Sequence, residues 1–374
     1  MRFTLSSTAL SSRLSALARV ISNKSSLAIL ECFLFEVKGG KLYITASDSE
    51  NVMTTMMPLD ETDGDGSFCA SSRTILDSVR ELPEQPLVFN VDLNNFTIEV
   101  IYQNGVYKFT SLNADEFPRI SPMTTYSAEL SIEPSQLNAA ITRSVFATGQ
   151  DELRPVMGGV LFDLNQDGLS IVATDGHKLV RNQLLAIKND TPTSFILPKK
   201  PASLLKGILG KDGENVIIRF DSRNAEIKWA DSTLSCRLIE GRYPNYNAVI
   251  PTNNPNQITV DRKALLSVLR RVLPFASEST QIIRFRTEMG KLELSSEDID
   301  FSTSAKETLT CDYSGQPMSI GFKGQNFAEI LNNLESNEVV IELADPSRAG
   351  VVVPAEQAEN ENVLMLIMPA LLNN

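Results

Sequence analysis

Apolar residues along the chain alternate between a helical spacing and a strand-like spacing. Leu10, Leu14, Leu17 and Ile21 recur at intervals of four, three and four, which places them on one face of a helix. The segments that follow, LECFLFEV and KLYITASD, alternate in the period of a β-strand, and Gly39-Gly40 between them is typical of a hairpin turn. The pattern therefore predicts a helix followed by an antiparallel hairpin.

The same order of elements occurs three times in the chain. Each copy has a residue that closes a first strand, a residue that ends a second helix and a closing proline: Leu5, Ile132 and Val260; Leu82, Leu209 and Leu334; Pro118, Pro244 and Pro369. These markers return every 125 to 128 residues. Since solenoid repeats are roughly 20–50 residues long, this period predicts three similar domains.

Each copy consists of two units of one helix and three or four short strands. The predicted helices span residues 9–21, 71–82, 135–148, 198–209, 261–275 and 323–334. We therefore predict an α+β fold of three repeated domains, residues 1–122, 123–250 and 251–374, with helices on one face and antiparallel sheets on the other. Six such units indicate a curved array, and two chains would bring twelve helices onto one surface.

The composition is ordinary for a globular protein, with 374 residues of which 42% are hydrophobic and 21% charged. No apolar run approaches the roughly 18 residues of a membrane span. The cysteines stand singly, as in reduced intracellular proteins rather than in disulfide frameworks or zinc sites; they are Cys32, Cys69, Cys236 and Cys311.

The first 30 residues contain no acid and superficially resemble a mitochondrial transit peptide. The repeat favours a structural role instead. The initial strand and helix have counterparts at residues 129–148 and 257–275, so they belong to the repeated fold.

Charge is segregated between the predicted helices and the rest of the chain. The chain has a net charge of −12, which by itself argues against nucleic acid as a partner. The six helices nevertheless contain 13 Lys and Arg against 4 Asp and Glu. Arg73 and Arg80 lie on the face opposite Ile75 and Val79. Exposure to solvent would explain the basic residues of any one helix. The excess of basic residues over the six helices together indicates instead a surface that binds the backbone of a polyanion, without base readout.

No constellation of catalytic or metal-binding residues is evident. His177 follows Asp175 in ATDGHKL and could act as a general base, but Asp-Gly is also a common turn signal, which favours a loop histidine. The sequence contains neither a Walker GxxxxGK[ST] motif nor GxGxxG. One histidine with scattered cysteines does not make a typical metal site. We therefore predict a protein that is not an enzyme and needs no cofactor or metal.

The chain ends in an unusually apolar segment, VLMLIMPALLNN. Its alternation is compatible with a last core strand. Met365, Met368, Pro369 and Leu371 could equally form the lip of an adaptable hydrophobic groove.

Several motifs resemble the bacterial β sliding clamp family, the processivity subunit of the replicative DNA polymerase. The matching pieces are the MRFT start, LAIL at 27–30, ATDGHKL at 173–179, RYPNY at 242–246 and MP near the end. The resemblance covers the whole length, and the threefold repeat supports it independently. It implies a cytoplasmic, non-catalytic head-to-tail homodimer that closes as a ring around duplex DNA and is opened by an ATP-driven clamp loader.

The resemblance also implies two binding regions. Polymerase and other clamp-binding proteins would insert a short peptide into a groove that carries Lys178 as a polar rim; its residues are Met157, Thr174, Gly176, His177, Lys178, Leu179, Pro244, Val249, Leu366, Met368 and Pro369. Sequence-independent DNA contacts would come from basic residues that match the family's positions, namely Lys24, Arg73, Arg80, Arg154 and Lys199.

Tyr107 and Phe275 are the residues expected at the subunit interface. The chain departs from the family where Pro155-Val156 replaces tandem aromatics, so one aromatic DNA contact is expected to be lost. It departs again at Ala248 and at its ALLNN end, so the resemblance carries over no peptide preference. The alternatives are a triplicated protein-binding scaffold without a DNA role and an enzyme that uses His177 as its base.

Overall fold

The computed structural model describes residues 1–22, 27–120, 123–210 and 212–372. These residues form an α+β fold of short helices and antiparallel strands. The α-helices are α1 (Ser7–Leu17), α2 (Ser72–Arg80), α3 (Pro134–Val145), α4 (Lys199–Ile208), α5 (Arg262–Val272) and α6 (Gly324–Asn332). Short 3₁₀ segments cover Ala28–Glu31, Ala114–Glu116, Pro155–Gly158, Tyr246–Val249 and Leu273–Phe275.

The strands, in chain order, are β1 (Arg2–Ser6), β2 (Cys32–Lys38), β3 (Lys41–Ser47), β4 (Asn51–Pro58), β5 (Glu61–Asp63), β6 (Gly66–Ser71), β7 (Pro86–Asp92), β8 (Thr97–Tyr102), β9 (Gly105–Thr110), β10 (Ala128–Ile132), β11 (Gly159–Asn165), β12 (Gly168–Thr174), β13 (Lys178–Leu184), β14 (Thr193–Pro198), β15 (Val216–Phe220), β16 (Asn224–Trp229), β17 (Ser232–Arg237), β18 (Asn256–Asp261), β19 (Ile282–Glu288), β20 (Lys291–Asp298), β21 (Thr303–Thr310), β22 (Met318–Lys323), β23 (Glu338–Leu343), β24 (Gly350–Pro354), β25 (Glu361–Ile367) and β26 (Pro369–Ala370).

The chain folds as two compact units. The first comprises Met1–Asn138 and Leu204–Leu238, and the second comprises Ala139–Ser203 and Ile239–Asn374. Each unit contains one five-stranded and one eight-stranded sheet. The eight-stranded sheets combine strands from successive repeats, so the units do not coincide with the predicted domains. The boundaries at residues 122 and 250 remain predictions from the sequence repeat.

In the first unit, the five-stranded sheet has the order β5-β1-β7-β8-β9 and the eight-stranded sheet the order β10-β15-β16-β17-β4-β3-β2-β6. Antiparallel pairing of β17 with β4, for example Ser232 opposite Thr55, joins the second repeat to the first. Phenylalanines fill the core, with Phe3 stacked on Phe89 at 4.8 Å between ring centroids. Burial of such large apolar side chains is the main contribution to stability.

In the second unit, the eight-stranded sheet has the order β14-β11-β12-β13-β25-β24-β23-β18 and the five-stranded sheet the order β21-β20-β19-β22-β26. Strand β13 pairs with β25, which places Leu179 opposite Leu366 and Lys178 opposite Ile367. This register brings the ATDGHKL segment of the second repeat to the C-terminal strand of the third.

The helices begin near their predicted positions and end earlier. Side chains of Ser6, Ser71 and Asp261 accept hydrogen bonds from the backbone at the starts of α1, α2 and α5, which satisfies donors that the helix leaves free. After Leu17 the backbone tightens, because the Val20 N–H donates to the Leu17 carbonyl. This three-residue bond explains why the apolar period runs beyond the α-helix.

Other sequence expectations can be compared with the described residues. Gly39 and Gly40 both have positive φ, as the predicted hairpin turn requires. All four cysteines are free and buried, and burial raises the pKa of Cys69 to about 12. In the part of the chain that the structure covers, no helix is long and apolar enough to cross a membrane.

Candidate functional site

The candidate site lies in the second unit, where β12, β13 and β25 meet. Its floor is a cluster of buried apolar residues that includes Val172, Leu179 and Leu366. The aromatic rings of Tyr243 and Tyr246, from the RYPNY segment, belong to the same cluster. The expected groove residue Met157 is also buried, and it is the third residue of the Pro155–Gly158 3₁₀ segment. The floor is therefore preformed by the sheet and by the segment that follows β17.

The rim of this floor carries exposed apolar side chains. Val249 is 53% exposed and Met368 is 43% exposed. Pro244 is also exposed, and Pro369 is half-buried. Solvated apolar groups beside a buried apolar floor form a surface that can take up the apolar side chains of a peptide. Strand β25 is therefore a core strand, and Met368, which follows it, is exposed; the lip of a groove stays a prediction for this residue.

One wall of the groove is the tight turn from Thr174 to Lys178. The Oδ1 atom of Asp175 accepts the backbone N–H groups of His177 at 2.8 Å and of Lys178 at 2.9 Å. The Thr174 hydroxyl donates to the Lys178 carbonyl at 2.7 Å and accepts the Gly176 N–H at 3.1 Å. Side chains at both ends of the turn therefore fix its backbone.

Gly176 occupies a backbone position that favours glycine. Its φ is +89°, in the left-handed region. A Cβ atom there would lie 3.3 Å from Nη1 of Arg154. The Met368 N–H donates to the His177 carbonyl at 2.9 Å, which ties the C-terminal segment to the turn.

Lys178 differs from its expected role as an exposed polar rim. Its side chain is only 8% exposed, and Nζ lies 2.7 Å from Oδ2 of Asp175 and 3.2 Å from Oε2 of Glu329 on α6. Burial alone would lower the pKa of this amine, but the hydrogen bond and charge of Asp175, with the charge of Glu329, outweigh it and raise the pKa. The expectation of a rim is wrong because the charge is paired inside the wall.

Asp175 is ionised by the same arrangement. Burial alone would raise its pKa, but hydrogen bonds from the Lys178 amine and from the backbone of Lys178 and His177 outweigh it and lower the pKa. Both carboxylate oxygens are occupied by these donors. The carboxylate therefore orients the turn and the lysine, which disagrees with its use as a partner for a His177 general base.

The two basic residues expected on α2 are exposed. The Arg73 side chain is 93% exposed, and that of Arg80 is about half exposed. Asp77 lies between them, with oxygens 3.9 Å from Nε of Arg73 and 4.0 Å from Nη1 of Arg80. Ion pairs this long between exposed groups contribute little, so both guanidinium groups can reach a phosphate.

The remaining expected DNA residues have different surroundings. Arg154 precedes a 3₁₀ segment, donates to Asp151 at 2.9 Å and lies beside Gly176, so it borders the groove rather than a helix face. Lys199 is half-buried at the first position of α4. Lys24 lies outside the described residues.

Several basic residues counted on the helices are paired with acids. Arg13 lies 3.6 Å from Asp231, and Arg271 binds Glu307. Arg143 pairs with Glu361 at 3.0 Å, with both side chains largely buried. The positive charge available on the helices is therefore smaller than the sequence count, because strands supply part of the neutralising charge.

The two residues expected at a subunit interface lie on or near exposed sheet edges. Tyr107 is on β9, the last strand of its sheet, and stacks on Tyr102 with 4.7 Å between ring centroids. Phe275 is 39% exposed and ends the Leu273–Phe275 3₁₀ segment that follows α5. Strand β21 is one of the two edge strands of the five-stranded sheet in the same unit as Phe275. An edge strand offers unpaired backbone groups to another chain.

The threefold α+β fold is that of the sliding clamps. Family models for the DNA polymerase III beta subunit match the chain in succession: the N-terminal domain at residues 1–121, the central domain at 131–245 and the C-terminal domain at 247–370. The chain belongs to the DNA polymerase III beta subunit family.

Individual relatives agree over the whole length. The beta sliding clamps of Pseudomonas putida and Synechococcus elongatus are 25% and 27% identical to the chain, with 99% and 98% of both chains covered. A sliding-clamp structure from Pseudomonas aeruginosa matches with a TM-score of 0.92, at 25% identity and full coverage of both chains. A second structure from that organism, bound to griselimycin, matches with a TM-score of 0.93, at 25% identity and full coverage of both chains.

Family membership establishes the general function. The protein is a sliding clamp, a processivity factor of DNA replication that encircles duplex DNA, and the family is non-catalytic. A triplicated scaffold without a DNA role does not fit this family.

The sequence did not identify three residues that shape the candidate groove. Asp-Gly predicts a turn at Asp175, but it does not show that the Asp175 carboxylate fixes that turn and binds Lys178. Glu329 gave no signal, since it lies about 150 positions from Lys178 and resembles an ordinary helix acid. Tyr243 could have been found as a large buried ring with a hydroxyl that needs a partner.

Proposed function

We propose that two copies of the chain associate head to tail, with β9 of one copy pairing with β21 of the other. The observation that carries this proposal is that both strands are sheet edges, one in each compact unit. Along both strands, exposed residues alternate with partly buried ones, as at an open sheet edge. Tyr107 and Phe275 supply apolar contacts beside the pairing. A head-to-tail contact between unlike surfaces closes into a ring when two copies complete the rotation.

Duplex DNA is proposed to pass through this ring and to be held by its phosphates. Arg73 and Arg80 support this because their guanidinium groups are exposed. Contacts to phosphate carry no sequence information, so a clamp of this kind can slide. Lys24, Arg154 and Lys199 remain proposed contacts by family position.

The groove is proposed to bind short linear peptides of the polymerase catalytic subunit, the clamp-loader ATPase and other clamp-binding proteins. The buried floor at Leu179 and Leu366, with exposed Val249 and Met368 beside it, supports apolar anchoring. Preformed backbone in the Thr174–Lys178 turn limits the entropy lost on binding. Griselimycin is proposed to occupy the same groove. The protein acts in the cytoplasm without a cofactor and catalyses no reaction.

The mass of the protein in solution tests the proposed ring. Sedimentation equilibrium is expected to give twice the chain mass of 41.2 kDa at micromolar concentration. Phe275→Asp should shift the equilibrium towards the monomer, because it places a charge in an apolar contact. Met289→Asp is the matched control, since Met289 is exposed in the β19–β20 turn and takes no part in the proposed contact. A monomer for the unmodified protein throughout this range contradicts the proposal.

A further inference from the structure

Helix α6 contacts the groove wall through a charged side chain. Glu329 on α6 accepts the Lys178 amine at 3.2 Å, and the same amine donates to Asp175 at 2.7 Å. Lys178 is the last residue of the turn and the first of β13, whereas Glu329 belongs to the following repeat. The amine therefore connects the turn to a helix that is remote in sequence.

The contact between Lys178 and its two acidic partners is largely shielded from solvent. The side chains of Lys178, Asp175 and Glu329 are 8%, 20% and 35% exposed. A largely buried ammonium group needs negative partners, because it has lost most of its water. Asp175 uses one oxygen for this lysine and the other for two backbone N–H groups of the turn. The backbone of the turn and the position of α6 are thus linked through two carboxylates and one amine.

We infer that Glu329 is a positioning residue for the peptide groove: it holds Lys178, and through Asp175 the Thr174–Lys178 turn, in the conformation that binds a partner peptide. This inference rests on the proposed function of the groove. Glu329 acts through Lys178 and Asp175 rather than by touching the peptide. It also makes the affinity of the groove depend on a residue of α6.

The consequences differ for the members of the network. Glu329→Gln keeps the shape of the side chain and removes its charge, which leaves Lys178 with Asp175 alone. Lys178→Met removes the amine, which leaves two carboxylates without their common cation. We therefore expect a smaller effect from Glu329→Gln than from Lys178→Met. Because both changes break the same link, the double variant should resemble Lys178→Met rather than the sum of the two.

A matched control is available in the same compact unit. Arg143 and Glu361 form an ion pair at 3.0 Å whose side chains are 14% and 10% exposed. Glu361 stands at the opposite end of β25 from the groove, roughly 20 Å away along a strand of this length. Glu361→Gln thus disrupts a comparably buried pair without touching the turn.

Griselimycin is the binding probe, and its affinity is measured by calorimetry on the full chain. We expect Glu329→Gln to weaken binding about 3- to 10-fold and Lys178→Met by about 10-fold or more, as for loss of a preorganising contact. Glu361→Gln should stay within about twofold of the unmodified protein even where it lowers the melting temperature equally. Amide hydrogen exchange at His177 and Lys178 should become faster in Glu329→Gln but not in Glu361→Gln.

The two proposals fail in different ways. If the unmodified protein does not bind griselimycin, or if Met368→Ala leaves its affinity unchanged, the groove assignment is wrong, and hydrogen exchange still decides whether Glu329 holds the turn. If the unmodified protein binds through Met368 but Glu329→Gln matches it in affinity and in exchange, the positioning role is wrong. Additive effects in the double variant would also overturn it.

Discussion

The phenol oxygen of Tyr243 accepts the backbone N–H of Thr174 at 3.1 Å, inside the buried floor of the groove. This bond joins the RYPNY segment to the first residue of the ATDGHKL turn. Burial raises the pKa of Tyr243 far above its ordinary value, so the hydroxyl stays protonated. Two motifs that are about 70 positions apart are therefore parts of one structure.

Tyr243→Phe should destabilise the protein and loosen the turn. The change leaves a buried N–H without its acceptor, which costs about 1–3 kcal/mol of the free energy of unfolding. Denaturant unfolding measures the loss, and calorimetry should show weaker griselimycin binding. Tyr313→Phe is the control, because the buried Tyr313 hydroxyl also hydrogen-bonds to the backbone, here by donating to the Gln316 carbonyl at 2.6 Å, but outside the groove. Equal affinities for the two variants would contradict this account of the wall.

Gly176→Ala should weaken partner binding more than its effect on stability suggests. The left-handed φ of +89° strains any residue with a Cβ, by about 1–3 kcal/mol, and here the Cβ also meets Arg154. Gly40→Ala is a matched control, since Gly40 has a φ of +76° and open space around its Cβ position. Thermal unfolding should detect both changes, whereas only Gly176→Ala should reduce griselimycin affinity. A similar affinity for both variants would show that the turn does not shape the groove.

Charge reversal at Arg73 and Arg80 should weaken DNA binding and reduce its dependence on salt. Each phosphate contact contributes a slope of about −0.9 to log K against log salt, so loss of two contacts should reduce the slope by about 2. Fluorescence anisotropy with a linear duplex at several salt concentrations measures this slope. Arg237→Glu, in the exposed part of β17, should leave it unchanged.

Asp77→Asn provides the opposite change on the same helix. It removes the acid between the two arginines and should strengthen DNA binding. If neither the reversal nor Asp77→Asn alters the slope, α2 does not contact DNA.

The ion pair between Asp175 and Lys178 should stabilise the Thr174–Lys178 turn over a defined range of pH. The folded pKa of Asp175 is lowered, so its contribution is present above the unfolded value near 4 and is lost as the pH falls through the folded value. The pKa of Lys178 is raised, so its contribution is present below about 10 and is lost as the pH rises through the folded value. The difference in unfolding free energy between the unmodified protein and Asp175→Asn should therefore diminish below pH ~4. A difference that does not change with pH would contradict the ionised network.

The period of apolar residues was sufficient to predict the helices, the hairpins and the repeat, because burial of one face imposes that period. It could not predict where α1 ends, since the final bonds at Val20 depend on backbone geometry rather than on side-chain pattern. It also overestimated the positive charge of the helices, because the acids that pair with Arg13 and Arg271 lie in a turn and on a strand that are distant in sequence.

The groove was predicted from motifs of the family, and the structure brings most of those residues together around β13 and β25. The pairing of Lys178 with Glu329 could not be predicted in this way. Sequence shows which residues carry charge, but the register of β13 against β25 and the position of α6 decide which charges meet.

Retention on circular DNA tests the central claim most directly, that the protein encircles its DNA as a closed ring. The protein is loaded onto nicked circular duplex by a clamp-loader ATPase, separated from free protein by gel filtration, and the DNA is then cut once. We predict that the protein remains on the uncut circle in moderate salt and leaves after the cut, because topology rather than affinity holds it. Equal retention on cut and uncut DNA would contradict the account.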